Sequence, residues 1–192
     1  TTYATRIFLT EARVETLATM VKDIERAVRE LSTARVNVIL LGCTAGSFLE
    51  GKEWDKRIVD RMEKEGQTSA ITTSGSVVTA LEEVEARKIA VATPYVDELN
   101  SRLKQFLEQY GFEVTSIKGL GIAKGIEIGN QSPQISYDLA KSAYIPGADT
   151  LFISCTDFRT IEVIERLERE LRVNVVTSNQ ASFWCALETM KF

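Results

Sequence analysis

A short, almost wholly apolar run ending in Gly-Cys-Thr limits what this chain can become more than any other stretch. Val36 to Leu41 is rich in β-branched residues and leads into Gly42-Cys43-Thr44-Ala45-Gly46-Ser47. Such a run reads as a strand buried on both faces, the situation of a strand in a parallel sheet. The small residues after it let backbone N–H groups turn toward a ligand. The pattern recurs at Ala148 to Ile153, which leads into Ser154-Cys155-Thr156-Asp157 and then an amphipathic stretch. Two strand ends that both offer Cys-Thr imply one site built twice and facing itself.

The rest of the chain supplies the flanking elements. Tyr3 to Leu9 alternates and predicts a strand, and Glu11 to Leu31 carries apolar residues at helical spacing, predicting one amphipathic helix. A helix around Trp54 to Lys64 is expected to close at Gly66 as its C-cap, followed by a strand at Ser69 to Thr73 and a helix at Val77 to Ala86. Lys88 to Thr93 predicts a strand, with Pro94 opening a helix that stops at Gly111. Phe112 to Ile117 predicts another strand, and Gly119, Gly121, Gly125 and Gly129 an irregular connection. Ser132-Pro133 opens a helix to about Tyr144, and Thr160 to Leu171 follows the second Cys strand as a helix. Val173 to Thr177 is the last strand, Ser178-Asn179-Gln180 its turn, and Ala181 to Met190 the last helix.

Strands alternating with helices give an α/β fold with parallel sheets, whose ligands sit at the carboxyl ends of the strands. The repeat divides the chain near Lys88, and the expected lobes are residues 1–87 with 178–192, which hold Cys43, and residues 88–177, which hold Cys155. The second lobe has one more βα unit. Cys155 lies 67 residues after Lys88, whereas 42 residues precede Cys43, so about 25 residues at the front are expected to be absent from the first lobe.

Composition narrows the function. The 192 residues carry a net charge of −4, which leaves no basic footprint for nucleic acid. No apolar run approaches the roughly 20 residues that span a bilayer, and no signal peptide is expected. The three cysteines form no C-x-x-C pair, so neither a disulfide framework nor a metal site is suggested, and a cytoplasmic location is expected. Histidine is absent altogether, which removes Ser-His-Asp and Cys-His catalysis. A cysteine nucleophile here needs another activator: a helix N-terminus, oriented N–H groups or a nearby cation.

A lone cysteine in a core is usually a small hydrophobe, and Cys185 in the last helix is read that way. Cys43 and Cys155 differ, because both stand at strand ends before turns with helix-capping residues. A helix N-terminus lowers a thiol pKa, while two facing thiols cannot both ionise cheaply. One thiolate and one neutral thiol is the expected resting pair at neutral pH. Arg159 is expected to pair with a surface carboxylate. The glycines at 119, 121 and 125 do not form a dinucleotide site, since no helix opening or later ribose-binding acid follows in the right context.

Gly42-Cys43-Thr44-Ala45-Gly46-Ser47-Phe48, Thr93-Pro94-Tyr95, Gly119-Leu120-Gly121-Ile122, Ser154-Cys155-Thr156-Asp157-Phe158-Arg159-Thr160 and Ser178-Asn179-Gln180-Ala181 occur in that order. The chain thereby resembles the maleate cis-trans isomerase group of the aspartate/glutamate/hydantoin racemase superfamily, which also contains arylmalonate decarboxylase. The resemblance implies two pseudo-symmetric lobes with a site between them, no cofactor, and a homodimer or larger homo-oligomer. It implies isomerisation of a small dicarboxylate such as maleate, with Cys43 as nucleophile and Cys155 as the opposing cysteine. Thr44, the Ala45 backbone, Tyr95 and Thr156 match groups that bind substrate carboxylates, and Asn179 is either a turn former or a site residue. Family members begin with a strand ending in a Pro- and Asn-containing turn, which is missing here. The position where isomerases carry an Asp-Asn pair reads Ala123-Lys124-Gly125, so a carboxylate-binding Asn is unaccounted for, with Lys124 a loop charge or a replacement contact. The decarboxylase has glycine where this chain has Cys43. Other readings are a two-cysteine amino-acid or hydantoin racemase or epimerase, a related decarboxylase, and a non-catalytic module that binds small diacids.

Overall fold

The computed structural model describes residues 1–191. Its centre is a run of five wholly buried residues, Ile89 to Thr93, in strand β3 (Lys88–Thr93). In chain order the elements are α1 (Val14–Met20), a 3₁₀ turn (Val21–Asp23), α2 (Ile24–Ser32), β1 (Val38–Leu41), α3 (Thr44–Phe48) and α4 (Lys52–Gly66). Then come β2 (Ser69–Thr72), α5 (Thr73–Glu83), β3, α6 (Asp97–Glu108), β4 (Glu113–Gly119) and α7 (Gly125–Gly129). The chain closes with α8 (Pro133–Ala143), β5 (Thr150–Ile153), a 3₁₀ turn (Ile161–Val163), α9 (Ile164–Leu171), β6 (Asn174–Thr177) and α10 (Ser178–Thr189).

All strand pairs are parallel. One sheet has the order β4-β3-β5-β6, with Val91 opposite Phe152 and Phe152 opposite Val176. The other pairs β1 with β2, from Val38 opposite Ser69 to Leu41 opposite Thr72. Continuous burial of β3 and β5 is what their unbroken apolar sequence demands, because both of their faces are covered. α6 buries Leu99, Leu103, Phe106 and Leu107 on one stripe, and α2 packs Ile24 and Val28 near Ile58 and Met62 of α4 around the smaller sheet. α5 and α10 pack against each other, and α10, although it follows β6, also touches β1 and β2. Among the described residues no helix is long and apolar enough to cross a membrane.

Four expectations are corrected. Tyr3 to Leu9 is not a strand: Ile7 and Leu9 pack inward while Tyr3 and Phe8 face solvent, but no strand lies beside them among the described residues. Alternation gives a segment two faces, and a ladder also needs a partner edge. The helix over Glu11 to Leu31 is interrupted at Val21–Asp23, where the Arg61 guanidinium donates to the Val21 carbonyl at 3.2 Å and to Glu25 at 2.7 Å and 2.8 Å. Gly66 is not the C-cap of α4. Gln67 takes the left-handed conformation at φ 50°, and Gly66 is needed for closeness, since a Cβ there would lie 3.0 Å from Val28 Cγ1 and 3.1 Å from Ile39 Cδ1. Pro94 precedes α6 instead of opening it: its carbonyl accepts from Ile122 N–H at 2.9 Å, and the helix starts at Asp97.

Candidate active site

The strand ends β1 and β5 meet at a narrow cavity of about 50 Å³ lined by Cys43, Thr44, Ala45, Tyr95, Cys155 and Thr156, with Leu9, Glu11, Gly125 and Asp157 toward its rim. That volume holds a few water-sized atoms, which confines an occupant to a small molecule. The structure thus brings together six of the seven residues singled out in the sequence. Asn179 stays outside the lining and donates through Nδ2 to the Thr156 carbonyl at 3.0 Å. Ser178 to Gln180, expected as a turn, form the first turn of α10, with the Thr177 hydroxyl accepting from Gln180 N–H.

Cys43 is the N-cap of α3, in extended conformation at φ −146°. The first N–H groups of a helix have no partner inside it, and the first two residues of α3, Thr44 and Ala45, line the cavity. The Gly46 N–H is held against the Cys43 sulfur, and a Cβ on Gly46 would stand 3.2 Å from Sγ and 2.7 Å from Met20 Cε. The Gly46 carbonyl is fixed from the other side by Trp54 Nε1–H at 2.9 Å. Ser47 and Ser74 hydroxyls, 2.8 Å apart and both buried, pin the Cys43 and Thr44 carbonyls.

Cys155 is built differently. Its backbone is left-handed at φ 102°, and bends follow it in place of a helix, with a 3₁₀ turn before α9 at Ile164. Its N–H donates to Ser178 Oγ at 3.0 Å, and Ser178 Oγ lies 3.0 Å from Thr44 Oγ1. Thr156 Oγ1 donates to the Gly42 carbonyl at 3.1 Å. Two hydroxyl ties therefore join the cysteine loops that follow β1 and β5. Tyr95, almost fully buried, presents its O–H to the Cys155 sulfur and receives the Ser154 hydroxyl at 3.4 Å. The Tyr95 turn is fixed by Thr93, whose hydroxyl donates to Asn100 at 2.5 Å and accepts from Tyr95 N–H at 3.1 Å. Gly119 permits this turn, because a Cβ there would come within 2.5 Å of the Tyr95 carbonyl.

Burial sets the electrostatics and corrects the expected resting pair. Desolvation pushes the Cys43 thiol up to about 11; the Gly46 N–H opposes it and the Asp157 carboxylate adds to it. Desolvation likewise pushes Cys155 up to about 12, against the Asp157 N–H and the Tyr95 hydroxyl and with the Asp157 charge. Both thiols are therefore protonated at neutral pH in the empty site, and the helix-end contribution is too small to reverse the cost of burying a charge. Cys43, partly exposed, is the less buried of the two. Desolvation also holds the Tyr95 hydroxyl well above its ordinary value, so it is a donor throughout the physiological range.

The charged side chains singled out in the sequence near the cavity are paired with partners of opposite charge. Glu11 pairs with Arg13 at 3.0 Å, Lys124 with Glu127 at 3.4 Å and Arg159 with Glu162 at 2.7 Å, the last as expected. Lys124 does not line the cavity. Gly125 does, and a side chain there would meet only Asp157 Oδ2 at 3.6 Å and the Thr10 carbonyl at 4.0 Å, so the space for one is open. Cys185, expected in the core, is only partly buried on α10. Sequence reasoning missed Ser154, Ser178, Asn100 and Asp157 as parts of the site. Their one available signal is position, beside a cysteine or at the end of a strand.

Comparison with known proteins places this geometry. A maleate isomerase of Geobacillus stearothermophilus is 22% identical over 196 residues, covering 99% of this chain and 78% of the relative. A Nocardia farcinica maleate cis-trans isomerase, solved as a cysteine-to-serine mutant with a covalently bound succinylcysteine intermediate, superposes with TM-score 0.96 at 23% identity, over 99% of this chain and 80% of that one. A liganded arylmalonate decarboxylase carrying a glycine-to-cysteine and a cysteine-to-serine change superposes with TM-score 0.93 at 27% identity, over 95% and 79%. The family model of arylmalonate decarboxylase matches residues 3–192, and the chain belongs to that family.

Proposed function

We propose that the chain is a cofactor-independent isomerase that converts a small cis-enediacid, maleate in the first instance, to its trans isomer through a cysteine adduct. The observation that carries this is the pairing of two thiols in one small cavity, one capping a helix and partly exposed and the other buried in left-handed backbone, with fixed hydrogen-bond donors and no histidine. The succinylcysteine found in the Nocardia farcinica relative is the adduct such a reaction requires.

In this reading the α3 N–H groups around Ala45, the Thr44 hydroxyl and Tyr95 hold the substrate carboxylates, and Thr156 shapes the loop between them. Cys43 loses its proton to solvent and its sulfur bonds to one olefinic carbon. The electron pair of the double bond moves to the neighbouring carbon, which takes the Cys155 proton and leaves Cys155 as thiolate. Rotation about the new single bond follows. Cys155 then removes the proton, the double bond re-forms as trans, and Cys43 leaves as thiolate. A neutral Cys155 is what this sequence needs at the start, and its raised pKa supplies it.

The same reading assigns residues 1–87 with 178–192 to one lobe and 88–177 to the other, supported by the packing of α10 on α5, β1 and β2. It keeps three free thiols in a reducing compartment, the cytoplasm, and gives the protein a homo-oligomeric form. Proton NMR of maleate incubated with the protein is the direct test. A growing fumarate singlet is the expected result, and its absence at high enzyme concentration removes the isomerase reading. In D₂O the same spectra separate a racemase, which introduces deuterium at the α-carbon of an amino acid.

A further inference from the structure

Ser178 is a fully buried hydroxyl that the reaction above leaves without a task. It opens α10, and its oxygen accepts from the Cys155 N–H at 3.0 Å while lying 3.0 Å from Thr44 Oγ1. Thr44 is itself buried, and it lines the cavity. A hydroxyl has one hydrogen to give and two lone pairs to receive with. If Thr44 gives its hydrogen to Ser178, it has none for an anion in the cavity. The Cys155 N–H cannot turn round, so it always donates into Ser178 and makes the Ser178 hydrogen a better donor. Ser178 can then give that hydrogen to Thr44 Oγ1, which frees the Thr44 hydrogen to point into the cavity.

Resting on the reading that a small carboxylate binds here, we propose that Ser178 is a positioning residue that makes Thr44 a carboxylate donor. The chain runs Cys155 N–H to Ser178 O–H to Thr44 O–H to the bound carboxylate. Thr44 donates to Ser178 in the structure; a bound carboxylate reverses both hydroxyls together. The arrangement joins the two cysteine loops through one buried oxygen, so the loop that carries Cys155 and the donor that orients the substrate at Cys43 respond to the same ligand.

Calorimetric titration with succinate, the saturated diacid that cannot isomerise, tests this without turnover. Thr44→Val and Ser178→Ala each weaken succinate binding by about ten-fold, the scale of one hydrogen bond to a charged group. The double variant binds no more than about three-fold more weakly than the worse single one, because both remove the same donor chain. Thr44→Ser, which keeps the hydroxyl, binds as the unmodified chain does. A purely structural Ser178 would lower affinity by the same factor with or without Thr44, and multiplying losses would overturn the proposal, as would unchanged binding in either single variant. For a readout that does not depend on Ser178→Ala folding, the amide proton of Cys155 in ¹⁵N-labelled protein shifts on adding succinate and stays in place in Thr44→Val. An amide shift equally large in Thr44→Val also overturns it. If succinate fails to bind the unmodified chain, the diacid reading fails and takes this one with it, whereas binding with independent losses sinks this one alone.

Discussion

The two Cys-Thr turns share a sequence pattern and a cavity, yet the chain builds them in opposite ways. Cys43 sits in relaxed extended backbone at the start of a short helix, partly exposed, with a glycine N–H on its sulfur. Cys155 sits in left-handed backbone with no helix behind it, buried, with a tyrosine hydroxyl on its sulfur. Thr44 is tied through Ser178 to the opposite loop, and Thr156 is tied to the Gly42 carbonyl. A duplicated motif therefore does not give duplicated chemistry. In the proposed reaction the helix and the exposure suit Cys43 to be the nucleophile, and the deeper burial suits Cys155 to keep its proton.

The strongest way to break that assignment is to remove each thiol in turn. Cys43→Ala abolishes both turnover and covalent adduct, because no other nucleophile lines the cavity at that carbon. Cys155→Ala stops turnover but leaves the sulfur of Cys43 able to add, the neighbouring carbon then taking its proton slowly from water, so intact-protein mass spectrometry after maleate treatment shows a succinyl-sized increment. If the two variants behave alike, or if the increment appears on Cys43→Ala, the division of labour is wrong.

A smaller effect isolates the backbone difference from the thiols. Comparing Ala with Gly at one site cancels the loss of sulfur and leaves conformational preference. At 155 the left-handed φ penalises Ala, so Cys155→Gly is more stable than Cys155→Ala by about 1 kcal/mol. That corresponds to about 2–4 °C in Tm for a chain of this size. At 43 the capping preference for Gly and its entropic cost in extended backbone oppose each other, so the two variants melt within about 0.5 kcal/mol of one another. Equal gaps at the two positions would show that the φ of Cys155 stores no strain.

The contrast also explains what the sequence disclosed and what it withheld. β3, β5 and both cysteine strand ends were legible because two-sided burial leaves an unbroken apolar run and a ligand-facing strand end leaves small residues after it. Tyr3 to Leu9 misled because its alternation records two faces but says nothing of a neighbouring edge. Gly66 misled for a related reason: glycine marks either a left-handed turn or a close approach, and only packing against Val28 and Ile39 distinguishes them. Ser178 carries no periodic signature, and its partner Thr44 lies 134 residues away. The raised thiol pKa values needed the structure as well. Sequence supplied the helix end, which favours a thiolate, and burial, which opposes it more strongly, is a property of the assembled lobes.

The smallest expected effect concerns the charge that both cysteines share. Desolvation is the main reason each thiol is raised, but the Asp157 carboxylate adds to both, and it faces the open space over Gly125. Asp157→Asn keeps the backbone N–H that supports Cys155 and removes only the negative charge. The thiols then ionise at lower pH, with the desolvation part untouched. Iodoacetamide reacts with thiolate, so at a fixed pH below both pKa values the Cys43 labelling rate rises by about three-fold, and its pH profile moves toward acid by roughly half a unit. Cys185 lies on α10 outside the cavity and provides the internal control, with an unchanged rate in the same sample. The substitution also removes like-charge repulsion on a dianion entering the cavity, so succinate binds more tightly, and the gain shrinks with added salt. A labelling profile identical to that of the unmodified chain would mean that solvent screens Asp157 from the sulfurs. The difference between the two cysteines would then rest on burial and backbone alone.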